Sequence, residues 1–126
     1  MMEEFAEFEK VEVWQEARAL AVLIYQHTER GGWTLDFVLR DETRKAVIGI
    51  GKEIARGYGL ATHVDLRRQI RKARGICFTL VTLLHIGSDL GYVPKDEIKK
   101  PLQAVKTVVQ MIDDVLYDVA RRRRNR

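Results

Sequence analysis

A single cysteine excludes any internal disulfide. Cys77 stands in an apolar stripe, where a thiol serves as a small hydrophobe. No apolar run approaches the roughly 20 residues that cross a bilayer. The acidic start Met1-Met2-Glu3-Glu4 is the opposite of a signal peptide, so a cytoplasmic bacterial protein is expected. Internal repeats and low-complexity linkers are missing as well, and only Arg121 to Arg126 is biased enough to be read as a tail. Catalytic patterns are equally scarce. Gly49-x-Gly51-Lys52 suggests a phosphate-binding loop, but that motif needs glycine where Ala46 stands and Ser or Thr where Glu53 stands, and no strand precedes it. Of the three histidines, His27, His63 and His85, only His85 has an acid at helical spacing, Asp89, and that pair supplies two metal ligands at best. No Ser-His-acid or Cys-His constellation can be assembled. The expectation is a protein that is not an enzyme and carries neither metal nor cofactor.

What the chain does contain is amphipathic helix. Leu66, Ile70, Ala73, Cys77, Leu80, Leu84 and Gly87 alternate spacings of four and three, and so do Ile98, Leu102, Val105, Val109, Ile112, Leu116 and Val119. A mean spacing of about three and a half residues keeps one stripe turned toward one neighbour along the whole segment, as in helix bundles. Two more segments share this character. One spans about 11–29, with Val13, Ala17, Leu20 and Ile24 inward and Gly31-Gly32 as its stop. The other spans about 35–57, with Thr34 as N-cap, Phe37, Val47, Ile50 and Ile54 inward, and Gly57-Tyr58-Gly59 as its end. The two long stripes define helices over about 63–90 and from about 95 or 101 to 121. The second start stays open because Pro101 would clash with the carbonyl of Glu97 in a continuous helix. Four long segments with short connections predict an all-α fold, an antiparallel up-down-up-down four-helix bundle over residues 1–120 with a basic tail over 121–126. The 46% hydrophobic and 32% charged content fits one globular domain, neither disordered nor membrane-embedded.

The net charge of +4 is unevenly placed. Residues 1–16 carry six acids against one lysine, a balance of −5, and residues 17–39 balance to zero. Residues 40–74 carry ten Lys or Arg against four acids, +6, residues 75–120 give −2, and 121–126 give +5. The excess therefore lies in one helical stretch and one terminal run, which points to local contacts with anions.

The order and spacing of several motifs resemble a known family. They are Phe8-Glu9-x-Val11-Glu12-Val13-Trp14-Gln15-x-Ala17-Arg18-x-Leu20, Leu39-Arg40-Asp41-x-x-Arg44-Lys45-Ala46, Ile54-Ala55-x-Gly57-Tyr58-Gly59, Ala73-Arg74-Gly75 and Leu90-Gly91-Tyr92-Val93. Over about residues 8–120 the chain resembles the small bacterial four-helix-bundle proteins encoded in intervening sequences of large-subunit (23S) ribosomal RNA genes. More distantly it is similar to the accessory variability determinants of diversity-generating retroelements. The resemblance implies protomers assembled as a homopentameric ring with RNA or DNA as partner, and in the retroelement case a reverse transcriptase as well. The chain departs from the pattern in one consistent direction. Where the family has Ser-Ile-Pro-Ser-Asn-Ile-Ala-Glu-Gly, this chain reads Gly49-Ile50-Gly51-Lys52-Glu53-Ile54-Ala55-Arg56-Gly57, and Thr79 and Val81 stand at two further acidic places. Three acids are lost and one base is gained, which favours polyanion binding.

The bases themselves are ordered. Arg67, Arg71 and Arg74 repeat at four and three, Arg68 and Lys72 extend the patch sideways, and Lys45, Lys52 and Arg56 repeat at seven and four on the preceding helix. Side chains so spaced share a helix face and can meet successive phosphates. Arg121, Arg122, Arg123 and Arg124 in the terminal run add further phosphate ligands. A solvated face with intrahelical pairs such as Asp65 to Arg68 is the alternative for the helical bases, and a solubilising tail the alternative for the terminal ones. Trp14, Trp33, Tyr58 and Tyr92 are read as packing residues in preference to base-stacking ones. The expected function is a non-enzymatic homo-oligomer that binds nucleic acid, structured RNA in particular. A ring that binds a protein partner without touching nucleic acid is the competing reading.

Overall fold

Five α-helices and two single-turn 3-10 segments make up nearly all of residues 1–124, the part that this computed structural model describes; among them there is no strand. The helices are α1 (Met2–Glu9), α2 (Glu12–His27), α3 (Phe37–Gly59), α4 (His63–Asp89) and α5 (Lys99–Arg124). The fold is all-α. α1 is an addition to the expected set, and it went unseen because it buries nothing and so leaves no apolar stripe. Phe8 ties it down, its ring centroid 4.5 Å from that of Trp14, and the Gln15 side chain donates to the Glu9 carbonyl at 2.8 Å.

Each boundary has a local chemical cause. At the end of α2 the buried Thr28 hydroxyl donates to the Ile24 carbonyl, and Arg44 from α3 donates to Thr28 Oγ1 at 2.9 Å and to the Tyr25 carbonyl. The Arg44 guanidinium also lies 4.4 Å from the Tyr25 ring centroid, so one cation satisfies the exposed carbonyl end and stacks on an aromatic face. Asp36, not Thr34, caps α3, accepting from the Leu39 amide at 3.0 Å. Thr34 is spent in a 3-10 turn over Gly31–Thr34 that sequence periodicity does not reveal. α3 passes Gly57 and ends at Gly59, because the absent side chain at Gly57 lets Leu66 and Gln69 of α4 approach. The Thr62 hydroxyl caps α4, accepting from the Asp65 amide and donating to the Asp65 carboxylate, and the helix ends in a Schellman motif: Gly91 at φ +76°, with the Tyr92 amide donating to the Gly87 carbonyl. A 3-10 turn over Lys95–Ile98 precedes α5, which begins at Lys99. Pro101 is then the third residue of the helix, where its missing N–H has no partner to lose.

The α4 stripe is buried from Ile70 to Gly87, with Leu66 partly covered. On α5 the stripe differs from expectation. Ile98, Val105, Ile112 and Val119 are buried, but Val108 replaces Val109, and Leu102 and Leu116 are only half-buried. The inward line on α5 runs one residue earlier at two of its steps, through Pro101 and Val108. Phe37, expected inward, is 60% exposed, since the first turn of α3 overhangs the core that begins at Thr43. Cys77 is buried among these apolar groups, and the burial pushes its thiol up to about 12.

α2 packs on α3 and α5, α4 packs on α3 and α5, and α3 with α4 is the most extensive of the contacts. Helix ends gather at two poles. At one, the Gly32 amide donates to the Tyr92 carbonyl, Arg30 pairs with Glu97 at 2.7 Å, and Tyr92 donates its hydroxyl to Asp36. Trp33 is fully buried there, edge-on to His27 and Tyr92 and filling the space that Gly87 leaves open. At the other pole α1 and Val11 meet Tyr58 near the end of α3, and Arg67 at the start of α4 shares a groove with Ala120 near the end of α5.

Candidate nucleic-acid interface

Helix positions about 100° apart per residue decide where the bases point. On α3 the buried face runs through Thr43, Val47, Ile50, Ile54 and Gly57, which leaves Lys45, Lys52 and Arg56 on the opposite, exposed side. On α4 the buried face runs through Ile70, Ala73, Cys77, Leu80 and Leu84, and the bases divide. Lys72 turns toward α3 and Arg68 straight outward, while Arg67, Arg71 and Arg74 turn toward α5. The expected single patch is therefore two adjoining surfaces.

The first lies over α3 and α4. Gly57 faces Leu66 and Gln69, and a Cβ at Gly49 would sit 3.5 Å from Ile76, so the two helices pass closely. These contacts bring Arg56 level with Arg68, and Lys52 level with Lys72. Lys45 and Lys52 also border a groove of about 640 Å³, with Asp41 and Glu42 at the same wall and Ile76 and Thr79 on the far one. Glu53 lies on the flank of α3 between the two rows, and its half-buried carboxylate has an oxygen without a hydrogen-bond partner. The second surface is a groove of about 500 Å³ between α4 and α5, lined by Arg67, Arg71 and Arg74 on one side and by Asp113, Leu116 and Ala120 on the other.

Ion pairs sort the cations further. Lys45, Lys52, Arg56, Arg67, Arg71 and Lys72 have no carboxylate within 4.0 Å among the described residues. Arg68 reaches Asp65 at 3.5 Å, a loose exposed pair. Arg74 is different. Its Nε donates to Asp113 at 2.8 Å, a second nitrogen lies 3.5 Å from the other carboxylate oxygen, and that hydrogen bonding raises its pKa above the ordinary arginine value. Arg74 therefore differs from Arg67 and Arg71: it has a carboxylate partner within the chain, in an exposed pair, and they have none among the described residues. Nothing local in the sequence foretold this, because Asp113 is 39 residues away.

α5 runs on through Arg121 and Arg122, both exposed, with Arg121 4.0 Å from Asp118. Burial raises the pKa of the Tyr58 hydroxyl, and the nearby Arg122 charge works in the opposite sense, which places Arg122 at the pole where α3 ends. The side chains of Arg123 and Arg124, and all of Asn125 and Arg126, lie outside the described residues. Two exposed aromatics beside the second surface, Phe78 and Tyr117, were missed by sequence reasoning. Phe78 was legible in principle, since it continues the Arg67–Arg71–Arg74 spacing by four.

A protein-family model described as 23S rRNA-intervening sequence protein covers residues 9–114. The chain belongs to that family. None of the curated proteins compared matches it. The 23S rRNA-intervening sequence region takes in α2, α3, α4 and most of α5, and with them every helical base discussed; α1 lies outside it except for Glu9. Among the described residues of this family member, no group of three or more His, Cys, Asp or Glu side chains is placed to hold a metal, and no helix is long and apolar enough to cross a membrane.

Proposed function

We propose that this chain is a non-enzymatic nucleic-acid-binding protein. In this reading the helix circuit is an antiparallel up-down-up-down four-helix bundle, assembled as a homo-oligomeric ring, and its bases grip structured RNA. The observation that carries the reading is the set of six exposed lysines and arginines on α3 and α4 that have no ion-pair partner among the described residues. Two of the places where the chain loses an acid from the family pattern, Arg56 and Thr79, are both exposed on the α3–α4 side, which removes repulsion where a phosphate backbone would lie. In a ring the field of each protomer adds to that of its neighbours.

The competing reading is an adaptor ring that binds a protein, such as a retroelement reverse transcriptase. It draws on a different surface, the pole where Leu35, Phe37 and Val38 are 84%, 60% and 78% exposed. Filter binding with mixed RNA and DNA across ionic strengths separates the two. Binding that weakens steeply with salt supports the nucleic-acid reading, and no detectable binding at low salt removes it.

A further inference from the structure

The row Arg67, Arg71, Arg74 does not end at Arg74. Four residues on, Phe78 continues the same stripe of α4, 57% exposed, with its ring centroid 5.3 Å from the Arg74 guanidinium. Across the groove α5 presents Tyr117, 61% exposed and one turn beyond the Asp113 that holds Arg74. Because Arg74 pairs with Asp113 and Arg67 shares its groove with Ala120, Tyr117 is level with the middle of the arginine row. Arg67 and Arg71, two cations without ion-pair partners among the described residues, thus lie on either side of the level of Tyr117, and Phe78 follows two helical turns beyond Arg71. An exposed ring of this size forgoes the free energy of burial unless something covers it. Asp113 fixes the Arg74 plane against Phe78, so the aromatic end of the row is held in place while the other end stays available to phosphate.

We propose that the α4–α5 groove binds unpaired nucleotides of RNA, with phosphates on Arg67 and Arg71 and bases stacked on Phe78 and Tyr117. The proposal rests on the nucleic-acid reading above and adds the class of ligand. A duplex shows only its backbone and groove edges to a groove of this kind, whereas a single strand also offers base faces, and stacking on an exposed ring needs those faces.

The test measures affinity of the full chain for a single-stranded oligouridine and for a duplex RNA of equal charge, in wild type, Phe78→Ala, Tyr117→Ala and Phe78→Trp. Each site is exposed, so helicity by circular dichroism should not change. Phe78→Ala should weaken single-strand binding about 5- to 100-fold and leave duplex binding within about twofold. Phe78→Trp should keep the affinity and add a fluorescence signal, over that of Trp14 and Trp33, which oligouridine quenches and duplex does not. Equal losses on both RNAs, or unchanged single-strand affinity, would overturn the proposal. So would loss of the oligomer in light scattering with single-strand affinity intact, which would make Phe78 a contact between copies. A wild type that binds no RNA sinks the broader reading, while a wild type that binds and a Phe78→Ala variant that binds equally well sinks only the stacking.

Discussion

The salt dependence of RNA binding can be worked out from the ion-pair map. Six cations, Lys45, Lys52, Arg56, Arg67, Arg71 and Lys72, have no internal partner among the described residues, whereas Arg74 is held by Asp113. If each of the six neutralises one phosphate, log K against log salt should fall with a slope of about −4 for single-stranded RNA, and about −5 if the duplex DNA coefficient applies. Raising salt from about 50 to 200 mM would then weaken single-strand binding roughly 300-fold for each protomer engaged. Replacing Arg67, Arg71 and Lys72 together by Ala should flatten the slope by about 2 and weaken binding to every sequence tested. Arg74→Ala should leave the slope within about 0.5 of wild type, because its counterion is a carboxylate of the same chain. Fluorescence anisotropy with a labelled oligonucleotide at five salt concentrations reads all of these. A triple variant with the wild-type slope, or an Arg74→Ala variant that flattens as much as Arg71→Ala, would show that the ion-pair map does not govern binding.

Three further outcomes follow from the fold. A Cβ at residue 87 would lie 2.2 Å from the fully buried Trp33 ring, so Gly87→Ala should cost about 1–3 kcal/mol in urea unfolding; an unchanged midpoint would mean that the Trp33 slot has slack. Asp36→Ala should cost about 1 kcal/mol and Thr34→Ala much less, since only Asp36 accepts from the first turn of α3; equal losses in thermal melts would return the cap to Thr34. Burial, and secondarily the Arg30 charge, hold His27 below its ordinary 6.5, so the unfolded chain takes up a proton first. The stabilisation is full above that value and is lost as pH falls from there toward the folded pKa. His27→Gln should flatten the fall in stability between about pH 7 and 5, and an equally steep fall in the variant would assign it to other groups.

The repeating features of this fold were legible, and its exceptions were set by distant partners. The α4 stripe and the extent of that helix, about 63–90, depend on residues within a turn or two of each other, so spacing alone located them. The choice of Asp36 over Thr34 depends on Tyr92, 56 residues away, and on Gly87 opening a slot for Trp33. The shift of the α5 stripe from Val109 to Val108 is a small rotation set by the helices on either side, to which the spacing is nearly indifferent because both positions are apolar. α1 was invisible because it has no core face to show.

The same distinction governs the candidate interface. Spacing gave every base its helix face, yet whether a base is available depends on the helix that packs beside it. Arg71 and Arg74 are three residues apart on one stripe and look equivalent in the sequence, but α5 brings a carboxylate to one and leaves the other in a groove with Leu116 and Ala120. The pairing of α4 with α5 thus divides one sequence pattern into a cation with a carboxylate partner and one without. It also sets the paired cation beside Phe78, so that in the proposed groove Arg74 would brace the ring on which a base stacks. Exchanging the partners should reverse this: Asp113→Ala would release Arg74 to join the phosphate row, steepening the salt slope by about 0.7 for single-stranded RNA while loosening the hold on Phe78. A steeper slope with reduced preference for single strands is the expected pair of changes, and a variant that moved neither would show that Asp113 plays no part in ordering this groove.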